Sequence, residues 1–230
     1  MDPPRQDDLK RAAAERAVAE VMDGMVVGLG SGSTADFATA ALAARIAKGL
    51  RAVVIPTSTK TGRLARSLGV SLSNFARHRR IDLTIDGADQ VERGTLALMK
   101  GWGGALLREK IVASVSDRMI VVVDETKLVD RLGNGKSLPV EVVAFGWQTI
   151  VDRLARLDCL PSMRLADGHP FVTDGGNHII DCAIAEFPDP VAFDKRLSAV
   201  VGVIATGLFV GMASEIVVGR PGGVDVMVRR

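Results

Sequence analysis

The stretch from Ile81 to Val115, IDLTIDGADQVERGTLALMKGWGGALLREKIVASV, constrains this chain more than any other. Its first segment alternates apolar and polar residues and is bounded by Gly87, the pattern of a strand that delivers Asp86 and Asp89 to its C-terminal end. In an open α/β sheet that end is where ligands bind. A glycine-rich loop, Lys100 to Gly104, follows. Leu106, Leu107, Ile111 and Val115 then recur at helical spacing, with Arg108, Glu109 and Lys110 near the start. Backbone N–H groups freed by Gly101, Gly103 and Gly104, at the positive end of a helix, suit an anionic oxygen. Two aspartates, a lysine and a glutamate at a strand end and a helix start are equipment for moving a proton next to a carbonyl.

A second site precedes it. Met25-Val-Val-Gly-Leu-Gly30 reads as a buried strand, and Ser31-Gly32-Ser33-Thr34 opens a helix through Ala44. Strand, Gly/Ser loop and helix start in that order make a phosphate site. A dinucleotide fingerprint fails, because Ser33 stands where a third glycine belongs and the next strand, Ala52 to Ile55, ends in Pro56 rather than an acidic residue. A Walker loop fails for want of Lys-Ser/Thr. A helix-capping turn without a ligand is the bland alternative for this loop.

The rest of the chain supplies the frame. Asp7 to Met22 has helical spacing with Asp7 or Asp8 as cap, Thr57-Ser-Thr-Lys60 caps a helix through Leu68, and Met119 to Asp124 is an apolar strand that ends at Glu125-Thr-Lys127. Strands alternating with helices argue a parallel, doubly wound sheet. From about Gly133 the pattern changes: a strand from Leu138, a helix from Trp147, a hairpin around Gly175-Gly176 within Phe171 to Ile180, and a helix from Pro190. The expected fold is therefore α/β, a Rossmann-like doubly wound, mostly parallel sheet over 1–133 and 207–230, with a smaller inserted ferredoxin-like α+β domain over 134–206.

Composition excludes several classes. With 47% hydrophobic residues the 230-residue chain is globular, and its 29 basic and 27 acidic residues nearly cancel, which gives no global reason to expect nucleic acid. Cys159 and Cys182 lack C-x-x-C spacing and read as buried thiols in a reducing compartment. The charged N-terminus does not read as a secretory signal, and the glycine-broken run Leu197 to Ser214 reads as strands rather than a membrane span. His78, His169 and His178 show no metal spacing, and Asp86 with Asp89 offers a hard cation too few oxygens, so metal-free chemistry is expected. Taken alone, Asp86-Gly87 could be only a turn, and Glu109 only a helical residue in a surface ion pair.

Asp86-Gly87-Ala88-Asp89 followed by Lys100-Gly-Trp-Gly-Gly-Ala-Leu-Leu-Arg-Glu109-Lys resembles the signature of the ribose-5-phosphate isomerase type A family. Gly30-Ser-Gly-Ser-Thr34, Leu138-Pro-Val-Glu-Val-Val, Thr173-Asp-Gly-Gly-Asn177 and Thr206-Gly-Leu-Phe209 extend the likeness over nearly the whole chain. The resemblance implies interconversion of ribose 5-phosphate and ribulose 5-phosphate through a cis-enediol(ate), without cofactor or metal, in a cytoplasmic homodimer. It implies that Glu109 carries the proton between C1 and C2, that Asp86 assists ring opening and that Asp89 orients the sugar hydroxyls. Lys100 and the amides of Gly101, Trp102 and Gly103 would stabilise charge on the substrate oxygen; Gly87 and Ala88 would line the sugar site. Ser31, Gly32, Ser33 and Thr34 would hold the phosphate with Lys127 and Lys10 as cations. Two departures stand out: Gln90 where the family usually has glutamate, and Trp102 where the loop normally carries glycine. A coenzyme A transferase subunit, a sugar-phosphate-sensing regulator and a glucosamine-phosphate deaminase share parts of this pattern, and fold alone does not separate them.

Overall fold

The computed structural model describes residues 5–185 and 187–228. The chain begins with α1 (Gln6–Val18), β1 (Val26–Leu29), α2 (Ser33–Ala47), β2 (Val53–Pro56), α3 (Thr59–Ser67) and β3 (Ile81–Asp86). Short strands β4 (Gln90–Glu92) and β5 (Leu98–Met99) precede α4 (Leu106–Ser114) and β6 (Ser116–Asp124). A 3-10 turn, Glu125–Lys127, leads through β7 (Leu128–Val129) to β8 (Leu138–Val142), α5 (Trp147–Ala155), β9 (Leu160–Met163), β10 (Leu165–Ala166) and β11 (His169–Pro170). The chain closes with β12 (His178–Ala183), α6 (Pro190–Ser198), β13 (Val203–Thr206), β14 (Leu208–Phe209), β15 (Glu215–Arg220) and β16 (Gly223–Val228).

Two compact units result. The first holds the chain up to Ala88, Ile111–Leu128 and the chain from Met212; the second holds Asp89–Lys110 and Val129–Gly211. These bounds differ from those expected. Residues 89–110 join the second unit because β5 pairs antiparallel with both β4 and β14, and the Lys100 N–H donates to the Gly207 carbonyl at 2.8 Å.

In the first unit the sheet order is β16-β15-β6-β3-β1-β2, parallel except for the β15–β16 hairpin. Buried apolar runs such as Val121–Val123 suit strands covered on both faces. Ala13, Ala14, Ala17 and Val18 of α1 and Ala38 and Leu42 of α2 cover one face. Small residues on α1 let it approach closely, and Gly219 of β15 completes the fit. On the opposite face Val112 sits over Gly28, where an added Cβ would lie 2.6 Å from its Cγ1. The cap of α1 is Arg5, whose N–H donates to Asp8, rather than Asp7 or Asp8 itself. Strands β1 and β3 run side by side with β2 and β6 outside them, so the topological switch point falls between the C-terminal ends of β1 and β3.

The second unit has the order β13-β8-β12-β9, antiparallel throughout, which with α5 and α6 makes the ferredoxin-like β-α-β-β-α-β arrangement. Val140, Val142, Ile180 and Cys182 point to one face against Ile150, Leu154, Phe193 and Leu197 of the helices. Leu106 of α4 packs with Ile179 and Ala205. The hairpin expected around Gly175-Gly176 is a tight turn instead, closed by Gly176 N–H to Thr173 O and Thr173 N–H to Asn177 O, both at 2.9 Å. Phe171 N–H donates to the Arg164 carbonyl and Thr173 Oγ1 to the Glu141 carboxylate, and the ladder partners of β12 are β8 and β9. The hairpin in this region is β10–β11, turned by Asp167 and Gly168, both at positive φ.

A methyl group at Gly219 would lie 2.0 Å from the Leu9 carbonyl oxygen. Gly219→Ala should therefore lower stability by about 1–3 kcal/mol, the range for overpacking, read as a lower urea midpoint at unchanged m-value. An unchanged midpoint would show that α1 can shift along β15 without cost.

Candidate active site

At the switch point of the first unit, backbone amides gather around the Asp86 carboxylate. Gly30 N–H continues the ladder to the Ile85 carbonyl at 2.9 Å, and Ser31 N–H then donates to Asp86 Oδ1 at 3.1 Å. The same oxygen accepts Gly87 N–H at 2.7 Å. Asp86 is wholly buried, and a Cβ at Gly30 would fall 1.8 Å from its Oδ1. Only glycine fits there. Gly32 caps α2 at φ 106°, with no side-chain oxygen closing the helix start, so the first-turn amides beside Ser33 and buried Thr34 are aimed outward from the strand ends.

Two threonine hydroxyls brace this loop, of which sequence reasoning takes Thr57 only as part of a helix cap and does not single out Thr61. Ser31 Oγ lies 2.8 Å from Thr57 Oγ1 and 3.2 Å from Thr61 Oγ1, and Thr61 Oγ1 donates to the Gly30 carbonyl at 2.9 Å. Ser58 does cap α3, accepting Thr61 N–H. Their signal was available: Thr57-Ser58 follows the apolar strand β2 directly, at the same sheet edge as Ser31. Lys127 stands at that edge too, at the end of β6, beside Asp124, whose Oδ1 accepts Thr126 N–H. Lys10 lies on α1 with its side chain 12% exposed and Asp7 3.6 Å away.

The second unit holds the ionisable pair. Lys100 Nζ lies 3.2 Å from Glu109 Oε2, with side chains only 3% and 6% exposed. Burying two opposite charges carries a large desolvation cost that their attraction repays only with good geometry, so such a pair in an enzyme is a candidate for chemistry rather than stability. Phe209 lies beneath both Lys100 Nζ, at 5.4 Å from the ring centroid, and Lys110 Nζ, at 4.9 Å. Lys110 donates to the Leu208 carbonyl at 2.8 Å.

The glycine loop bends where it must. Gly101 (φ 109°) and Gly104 (φ 79°) take the left-handed conformations, whereas Trp102 is at negative φ, so an indole is tolerated without changing the turn. The Trp102 N–H donates to Asp89 Oδ2 at 2.9 Å. Its ring turns to the 136–137 segment, with Nε1 3.3 Å from the Ser137 carbonyl and Lys136 Nζ 4.7 Å above the ring. Gln90 Oε1 accepts Gly133 N–H at 2.8 Å, while its Nε2 donates to the Asn134 carbonyl at 3.1 Å. Among the described residues no group of three or more His, Cys, Asp or Glu gathers as metal ligands, and no helix is long and apolar enough to cross a membrane.

The lysine–carboxylate pair of the second unit supports proton transfer and the glycine-flanked helix start of the first supports anion binding, which defines the class as an α/β enzyme. Residues 53–223 match the family model described as ribose 5-phosphate isomerase A (phosphoriboisomerase A). The chain is 52% identical over 221 residues to ribose-5-phosphate isomerase A of Gloeobacter violaceus, covering 96% of both chains. It is 46% identical over 223 residues to that of Synechococcus, covering 96% of this chain and 97% of the relative. Ribose 5-phosphate isomerase A from Methanocaldococcus jannaschii superposes with TM-score 0.94 at 36% identity, over 98% of this chain and 100% of that one. A D-ribose-5-phosphate isomerase in complex with phospho-erythronic acid superposes at 0.95 with 33% identity, again over 98% and 100%. The chain belongs to the ribose 5-phosphate isomerase A family.

Burial holds the Lys110 ammonium below its ordinary value of 10.5, with the Asp194 carboxylate opposing. Between the lowered value and 10.5 the unfolded chain binds more protons than the folded one, so this group makes stability rise with pH across that window. Urea midpoints of wild type and Lys110→Met, compared from neutral pH up to 10.5, should show wild type gaining on the variant as pH rises. A gap that stays constant or widens against wild type would contradict the assignment.

Proposed function

We propose that this protein interconverts D-ribose 5-phosphate and D-ribulose 5-phosphate through a cis-enediol(ate), in the non-oxidative pentose phosphate pathway. The observation that carries the mechanism is the buried Lys100–Glu109 pair at the start of α4. A carboxylate in a dry setting is a better base than one in water, and a fixed cation beside it stabilises negative charge that appears only as the proton leaves.

Glu109 takes the proton from one of C1 and C2 and returns it to the other. Lys100 and the loop amides stabilise the substrate oxygen as it becomes anionic. Asp86 assists opening of the furanose ring and Asp89 orients the hydroxyls, beside Gly87 and Ala88. Ser31, Gly32, Ser33 and Thr34 hold the phosphate, braced by Thr57 and Thr61, with Lys127 and Lys10 as cations. No metal or nicotinamide takes part, and the working form is a cytoplasmic homodimer.

Glu109→Gln keeps shape and loses basicity, so kcat for ribose 5-phosphate should fall by about 10²-fold or more while the sugar phosphate still binds. In deuterated water, ribose 5-phosphate formed from ribulose 5-phosphate should carry label at C2. A variant that turns over within about tenfold of wild type would remove Glu109 as the base. Complete absence of label would indicate a hydride shift instead.

A further inference from the structure

Arg164 lies between β9 and β10, about sixty residues along the chain from the glycine loop, and no sequence motif includes it. Its Nη1 donates to the Gly101 carbonyl at 2.8 Å and to the Trp102 carbonyl at 3.1 Å. On the other side of the guanidinium, Nε and Nη2 form a two-pronged bond to Asp181, at 2.9 and 2.5 Å. The side chain is 15% exposed. Asp181 is on β12, two residues from Ile179, which packs with Leu106 of α4; strand alternation therefore puts Asp181 on the face that carries the loop and the start of α4. The Arg164 backbone is fixed as well, by its N–H to the Ile179 carbonyl and by Phe171 N–H to its own carbonyl.

We propose that Arg164 is a positioning residue that sets the direction of two successive amides in the glycine loop. A trans peptide is planar, with its C=O and N–H pointing opposite ways. Drawing the Gly101 carbonyl to the guanidinium turns Trp102 N–H away from it, and that N–H is the one that reaches Asp89 Oδ2. Drawing the Trp102 carbonyl to the same nitrogen turns Gly103 N–H away in the same manner. Glycines on both sides leave the loop backbone little intrinsic preference, so without an external anchor these peptides could rotate. Arg164 suits the task because its rigid fork binds one carboxylate and still offers a nitrogen to both carbonyls, which a lysine cannot do. The catalytic part of the proposal rests on the reading that the loop amides face the substrate oxygen.

Removing Arg164 alone strands the Asp181 carboxylate, so the test pairs Arg164→Met/Asp181→Leu, which replaces both partners by apolar groups, with the milder Arg164→Lys. Misaligned amides act on the transition state, and a displacement of about 1 Å can cost about 10²-fold. The double variant should therefore lose about ten- to 100-fold in kcat, with KM for ribose 5-phosphate within about threefold and inhibition by phospho-erythronic acid weakened alongside kcat. Arg164→Lys should fall between. Amide hydrogen exchange supplies a readout independent of turnover: Trp102 N–H should exchange at least about tenfold faster in the double variant while core amides of β12 and β8 keep their protection. Unchanged kcat with unchanged Trp102 exchange overturns the proposal. A uniform loss of protection, or a variant that does not fold, with Arg164→Lys unaltered in kcat and in Trp102 exchange, reduces Arg164 to a structural residue. A wild-type protein that fails to isomerise ribose 5-phosphate sinks the isomerase reading alone, and the exchange measurement still decides the clamp.

Discussion

Where β1 and β3 end side by side in the first unit, one carboxylate oxygen of Asp86 accepts the amides of Ser31 and Gly87. That pair of bonds fixes the functional edge of the sheet. A wholly buried carboxylate is costly unless its charge is met by donors, and charge-assisted bonds to backbone N–H groups meet it without adding a second charge. The bonds also explain why residue 30 must be glycine, since any side chain would occupy the position of Oδ1. With Gly30 and Ser31 held against the end of β3, α2 must start at Gly32, and its first amides are delivered to the same edge as the hydroxyls of Thr57 and Thr61. Asp86 is thus an organiser of the loop between β1 and α2 as well as a candidate for chemistry.

The second unit applies the same device along its strands. The alternation that buries Val140 and Val142 of β8 under helices turns Glu141 to the other face, where it is 1% exposed. Its Oε1 accepts Thr173 Oγ1 and Asn177 Nδ2, both at 2.9 Å, and so pins the 173–177 turn. From that turn Asp174 reaches Arg108, the neighbour of Glu109, while Phe171 fills the space beside Gly104. Carboxylates carried on one face of the sheet thereby tie down the irregular segments beside it. The Leu138–Val143 and Thr173–Asn177 motifs find their physical role here, as parts of one bonded network.

The elements legible in the sequence were those with strong periodicity and clear punctuation: the apolar strands β1, β2, β3 and β6, and helices such as α3, whose cap Ser58 and Thr61 partner are local. The small sheet β14-β5-β4-β7 was not, because two- and three-residue strands carry no period, and its turn passes through Leu96 at φ 56°, a conformation that no glycine announces. The partner of β12 was misread because Phe171-Val172-Thr173 alternates like a strand while the true partner, β9, contains Pro161. For the candidate site, Asp86, Asp89, Lys100 and Glu109 stand out because each lies in a motif formed with its neighbours in sequence. Arg164 is not visible in this way, since it acts on carbonyls far away in the chain and nothing local distinguishes it, whereas Thr57 directly follows an apolar strand and Thr61 lies in the first turn of the helix that Ser58 caps.

The two departures from the family pattern show which constraints are strict. In the glycine loop the demand for glycine is a matter of backbone sign, met at Gly101 and Gly104, where a Cβ would strike Leu106 and Phe171 respectively. Trp102 meets neither demand and so is free to carry a side chain, which spreads over the 136–137 segment through its indole N–H and the Lys136 cation. At residue 90 the surroundings ask for an amide. Gly133 offers an N–H and Asn134 a carbonyl, and Gln90 answers both, whereas an ionised carboxylate could accept the first but only repel the second. A glutamate here would need a proton, or a different 133–134 turn, to be equally well satisfied. A carboxylate in place of the amide is therefore coupled to the conformation of a loop more than forty residues away.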